Sequence, residues 1–100
     1  MSDPSVEDRL MAAPRDKLLA LLARLVRELT ITGRFYAAVP DGRRGQAAVN
    51  EAIHRVAGHI SDLQKRREPM TALRAAGIVD AVRPLIRPER LASLMAAEFD

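Results

Sequence analysis

Val49-Asn50-Glu51-Ala52-Ile53-His54-Arg55-Val56-Ala57-Gly58-His59-Ile60-Ser61-Asp62-Leu63 is the stretch on which the fold class turns. Val49, Ile53, Val56, Ile60 and Leu63 recur at steps of four, three, four and three, the spacing that lines one side of an α-helix for a partner helix. Glu51, Arg55 and Asp62 fall on the other side. Glu51 with Arg55, and Asp62 with Arg66, are acid-before-base i,i+4 pairs that add a few tenths of a kcal/mol each. The pattern predicts a helix from about Gln46 to Arg67. Lys65-Arg66-Arg67 suit the negative end of its dipole, and Pro69 stops it.

Upstream, Pro40-Asp41-Gly42 reads as a turn that Gly45 prolongs. The segment before it, Pro14 to about Ala38, is a second long amphipathic helix. At 100° per residue Leu18, Leu22, Leu25, Leu29 and Tyr36 lie within about 40° of one line, with Leu21 and Val26 widening the stripe. Thr30-Ile31-Thr32-Gly33 lowers helix propensity and predicts a kink or an early end there. Residues 1–13 read as a short N-terminal helix prone to fray, with Asp3 as N-cap, Pro4 at the first position, and Val6 and Leu10 as its one-sided contact. Downstream, Met70 to Arg83 reads as helical, with Ala72, Ala75, Val79 and Val82 on one side and Gly77 as a point of division. Pro88 opens a last helix with Leu91, Leu94, Met95 and Phe99 on its apolar face. No stretch alternates with the period of a half-buried strand. The expectation is one all-α domain over residues 1–100: a small helical bundle of two long antiparallel helices plus two or three shorter ones.

Composition narrows the function classes. Aromatic residues make up only 3% of the chain against 48% hydrophobic, so the core must come from Leu, Ile, Val and Ala. The absence of cysteine removes disulfides, thiolate catalysis and Cys-ligated metals. No apolar run approaches the ~18 residues of a membrane span, and Met1-Ser2-Asp3-Pro4 lacks the basic-then-apolar order of a signal peptide. A cytoplasmic location without membrane contact follows as the expectation. The pI of 10.2 is high, but the net charge is only +3 and fourteen of the sixteen basic residues are Arg. Together with abundant Ala, that bias matches the codon usage of a GC-rich bacterial genome. The Arg excess is therefore a weak pointer to nucleic acid unless it clusters on one face.

Several fragments resemble parts of chemical motifs, and none is complete. Glu51-x-x-His54 has the i,i+3 spacing of half a carboxylate–histidine metal site. Helical geometry, however, turns Glu51 roughly 160–200° from the apolar seam. His54 and His59 are five residues apart and cannot share a ligand, whereas Asp62 lies one turn from His59. Asn50, His54, Ala57 and Ser61 form a mildly polar stripe beside the seam. Val56-Ala57-Gly58-His59-Ile60-Ser61 has the small-Gly-apolar order of a helix-turn-helix turn, but the seam passes Gly58 without changing phase. Gly42-x-x-Gly45 around Arg43 and Arg44 lacks the Lys-Ser/Thr and preceding strand of a phosphate loop. No catalytic, metal or cofactor site is expected.

One feature does point to function. Ile31 and Phe35 sit one turn apart on the far side of the second segment from its Leu18 line. An apolar contact there requires a cover. Either the last helix supplies it through Leu91, Leu94 and Phe99, or another chain does. The expected function is therefore non-enzymatic, through protein–protein contacts with another protein or with a second copy as a homodimer. The alternative is a small DNA-binding regulator using Arg43, Arg44, Lys65, Arg66 and Arg67 on phosphates.

Overall fold

The structure, a computed structural model, describes residues 4–100. Those residues form five helices: α1 (Val6–Ala12), α2 (Arg15–Ala37), α3 (Arg43–Gln64), α4 (Ala72–Val82) and α5 (Pro88–Phe99). No strand occurs among the described residues, and the all-α bundle is as the periodicity predicts. α2 and α3 form an antiparallel hairpin. α4 packs on α3, α1 on α4, and α5 on α2. The molecule is only 21 Å across its thinnest dimension, about two helix diameters.

Three glycines set how closely the hairpin closes. A Cβ on Gly33 would lie 3.2 Å from Val49 Cγ1, one on Gly42 would overlap the Tyr36 carbonyl, and one on Gly45 would overlap the Tyr36 ring. This corrects two expectations. The Thr30–Gly33 stretch does not end α2, which runs unbroken to Ala37. The Thr30 and Thr32 hydroxyls donate to the Val26 and Glu28 carbonyls at 2.8 and 3.0 Å, and Gly33 serves a close helix–helix approach. Gly45 likewise does not prolong the loop. α3 begins at Arg43, and Gly45 lies inside it under the Tyr36 ring.

The far end of α3 also differs from expectation. The helix ends at Gln64 with Lys65 as C-cap, so Lys65-Arg66-Arg67 form the exit and not the last turn. Arg67 takes a left-handed φ of 55°, which lets the Glu68 amide donate to the Asp62 carbonyl at 3.1 Å. The Arg15 guanidinium, from the start of α2, donates to the carbonyls of Leu63, Arg67 and Glu68. One side chain thus satisfies carbonyls that the helix end would otherwise leave open.

The shorter helices follow their caps. Ser5, whose hydroxyl accepts from the Asp8 amide at 3.1 Å, is the N-cap of α1, whereas the expected cap Asp3 lies outside the described residues. Thr71 caps α4 by accepting from the Arg74 amide. Gly77 does not divide α4, which runs unbroken from Ala72 to Val82, and a Cβ there would meet the His59 ring at an ordinary contact distance of 3.6 Å. Ala72 is exposed and not in the core, while Ile78 and Ala81 join Ala75, Val79 and Val82 inside. Pro88 occupies the first turn of α5 as predicted.

Every buried core residue is aliphatic or Met: Leu10 from α1, five leucines of α2, and Val49, Val56 and Leu63 of α3, joined by the faces of α4 and α5. Full burial contributes about 2 kcal/mol per such side chain, so stability is spread over many small increments. Ile53 and Ile60 of the seam are only partly buried.

The glycines give opposite expectations. Gly58 is exposed inside α3, and a Cβ there meets nothing within 4 Å. Gly58→Ala should raise unfolding stability by about 1 kcal/mol, read as a higher urea midpoint at unchanged slope. Gly45→Ala, forced against the Tyr36 ring, should lower it by about 1–3 kcal/mol. Equal effects of the two substitutions would contradict the packing described.

Candidate interaction surface

The inner face of α2 is sealed, with Leu18, Leu21, Leu22, Leu25 and Leu29 each 3% exposed or less. A helix with that inner face turns Ile31 and Phe35 outward. Ile31 is 53% exposed and Phe35 64%, and Val39, the next residue along that line, is 36% exposed. The Phe35 ring meets its neighbour Tyr36 edge-on, at 5.7 Å between centroids.

The cover proposed from the last helix does not form. α5 packs beside α2, but Leu91 and Leu94 turn into the core at 7% and 4% exposure. Both belong to the core, and Leu94 also shows its edge to a groove that reaches Ile31. Phe99 is also elsewhere: it lies with Ala12, Pro14 and Lys17 near the start of α2, beneath the Arg9 guanidinium at 5.8 Å. Lys17 and Phe35 are roughly 27 Å apart along the helix. Of the five residues expected at an interface, Ile31 and Phe35 remain open and together.

Between α2 and α5 a groove of about 400 Å³ runs up to Ile31, lined by Arg24, Arg27, Glu28, Ile31, Arg90 and Leu94. Two of its lining arginines are ion-paired at 2.5 Å, Arg90 with Glu28, which also lines the groove, and Arg24 with Glu98. The Arg90 hydrogen bond holds the Glu28 carboxyl below its usual pKa, and Glu28 in turn raises that of Arg90. Arg27, Arg34, Arg43 and Arg44 make no salt bridge among the described residues. With five Arg against Glu28 and Asp41, residues 24–45 carry a net +3, the net charge of the whole chain. The sequence divides the charge by segment but does not reveal that this basic stretch flanks the open apolar stripe.

The other candidate residues are not assembled into a site. Arg43 and Arg44 stand at the start of α3 and Lys65, Arg66 and Arg67 beyond its end, about 30 Å apart along the axis. Arg66 is further engaged with Asp62 at 4.0 Å. α3 runs unbroken past Gly58, so the helix-turn-helix turn is absent. Glu51 pairs with Arg55 at 3.0 Å on the exposed face, and His54 is exposed beside it. Among the described residues no group of three potential metal ligands comes together.

His59 proves more constrained than its sequence position suggests. Arg74, arriving from α4, places one guanidinium nitrogen 3.1 Å from His59 Nδ1 and 2.8 Å from an Asp62 oxygen, and another 2.5 Å from Glu68. Arg74 Nε is buried without a partner. Facing a permanent donor, His59 Nδ1 must accept, so the ring is neutral here. Burial first, then the Arg74 charge, lowers the His59 pKa, and Asp62 only partly offsets them. The sequence shows Asp62 one turn away but gives no sign of Arg74, which comes from another helix.

Compared with known proteins, the chain has no significant match to any family model, curated protein or solved structure. No helix of the described residues is long and apolar enough to cross a membrane.

The His59 environment gives a signed pH dependence. Its folded pKa lies below the unfolded 6.5, so the unfolded chain takes up the proton first as pH falls. The stability contributed by neutral His59 is complete above pH 6.5 and is lost as acid carries it down through the folded pKa. Asp62, whose pKa is lowered from 3.8, acts only in stronger acid. Urea midpoints taken from about pH 7.5 to about pH 5 should fall, and His59→Gln should flatten that slope. A slope unchanged by His59→Gln would assign the acid sensitivity to other groups.

Proposed function

We propose that this chain is a non-enzymatic helical protein of the cytoplasm that acts through a protein–protein contact on the outer face of the second half of α2. The observation that carries the reading is the pair Ile31 and Phe35, 53% and 64% exposed, which no other helix of the described chain covers. A large aromatic and a branched aliphatic side chain one turn apart is the composition of an interface centre. The surrounding arginines, a residue type also enriched at interfaces, form its rim. The groups most apt for chemistry are otherwise engaged or open to solvent: His59 is held against Arg74, and His54 is exposed.

The nucleic-acid reading has less support. Its basic residues divide between the two ends of α3, and the face carrying Ile31 and Phe35 has no part in phosphate binding.

Leu73 provides an internal control, since it is 86% exposed on the first turn of α4 and lies apart from the stripe. A photo-crosslinking amino acid placed at position 35 in cells of the native host should give a discrete adduct, and the same probe at position 73 should not. A self-adduct at position 35 would identify the partner as a second copy. Equal labelling at both positions, or none at 35, would overturn the reading.

A further inference from the structure

We propose that the occupant of this face is an acidic amphipathic helix belonging to a different protein, an inference that rests on the contact reading above. Charge is the first argument. Arg27 and Arg34 flank Ile31 on the outer face of α2 without a salt bridge among the described residues, and Arg43 and Arg44 add to the same end of the molecule. Two copies meeting through this face would bring those arginines toward one another, and like charges at close range oppose docking. A partner that presents carboxylates meets no such penalty.

Spacing is the second argument. Arg27 and Arg34 are seven residues apart, about 10.5 Å along the axis. Carboxylates one heptad apart on a partner helix match that interval. An apolar residue between them, four positions along, then falls on Ile31, and one a turn further on falls on Phe35. The groove of about 400 Å³ between α2 and α5 supplies the third element. It continues the stripe past Ile31 to Arg24 and Arg90, so the face accepts a rod laid along α2 better than a single side chain. Because Arg24 and Arg90 already hold Glu98 and Glu28, the arginines of α2 beside Ile31 that are free to take partner carboxylates are Arg27 and Arg34.

The test uses the full chain and three labelled helical peptides of about 20 residues. One carries Leu at the apolar positions and Glu at heptad-spaced flanks, the second replaces those Glu with Lys, and the third keeps the Glu but scatters the Leu. Fluorescence anisotropy should show the first peptide binding at least tenfold more tightly than the others. Phe35→Asp, and separately the double variant Arg27→Glu with Arg34→Glu, should each weaken it at least tenfold. The double variant should bind the Lys peptide instead. Circular dichroism checks that the variants keep their helices, and Phe35 is exposed enough for them to do so.

Equal binding of all three peptides, or binding of the first that ignores either variant, overturns the proposal. If the Lys peptide binds the wild type as well as the Glu peptide does, and Phe35→Asp abolishes both, the contact face stands and the acidic partner falls. The same division holds if sedimentation shows a wild-type dimer that Phe35→Asp dissolves. Failure of every peptide with a monomeric wild type removes both readings. Tighter binding of a single-stranded oligonucleotide than of any peptide also removes both, assigning the face to nucleic acid.

Discussion

The close approach of α2 and α3 at their shared turn is the constraint from which the other placements follow. It depends on positions where a single methyl group would be too much. Gly42 and Gly45 let the start of α3 slide beneath Tyr36, and Gly33 admits Val49 against the α2 backbone. With the two long helices in that register, the leucine row of α2 is committed inward. The opposite side of the same helix is then committed outward, so Ile31 and Phe35 are exposed as a geometric consequence of how the hairpin closes.

At the other end of the hairpin the solution is polar. α3 stops without a glycine, and Arg67 bears the left-handed conformation that glycine usually takes. Such a backbone persists when its surroundings over-determine it, and here two arginines do so. Arg15 holds the carbonyls at the exit, and Arg74 ties the following loop to Asp62, Glu68 and His59. The apolar core supplies most of the stabilisation in undirected form. These guanidinium contacts supply direction, fixing where the chain leaves α3 and enters α4.

The fold class was legible because it rests on local periodicity. The seam from Val49 to Leu63 and the leucine row of α2 each report one helix face, and Pro88 marks the last helix start correctly. What local reasoning misjudged were positions whose role is set by another helix. Gly33 and Gly45 look like breakers until Val49 and Tyr36 are placed against them. Leu91 and Leu94 look like a cover for Phe35 because apolarity says that a side chain is covered without saying by what. The open pair itself was legible from the helix wheel. The arginine-lined groove beside it was not, since one of its walls comes from α5, more than sixty residues on from α2 in the case of Arg90 and Glu28.

The aromatic scarcity that made the core aliphatic also leaves the molecule with a single intrinsic chromophore of consequence. There is no tryptophan, and the only tyrosine, Tyr36, sits at the hinge of the hairpin with its ring over Gly45 and its edge toward Phe35. Its ultraviolet emission is therefore a local gauge. It follows the mating of α2 with α3, whereas far-ultraviolet dichroism averages over all five helices. Because Phe35 is its immediate neighbour, the same signal senses whatever settles on the exposed stripe, and the protein needs no added label to report it.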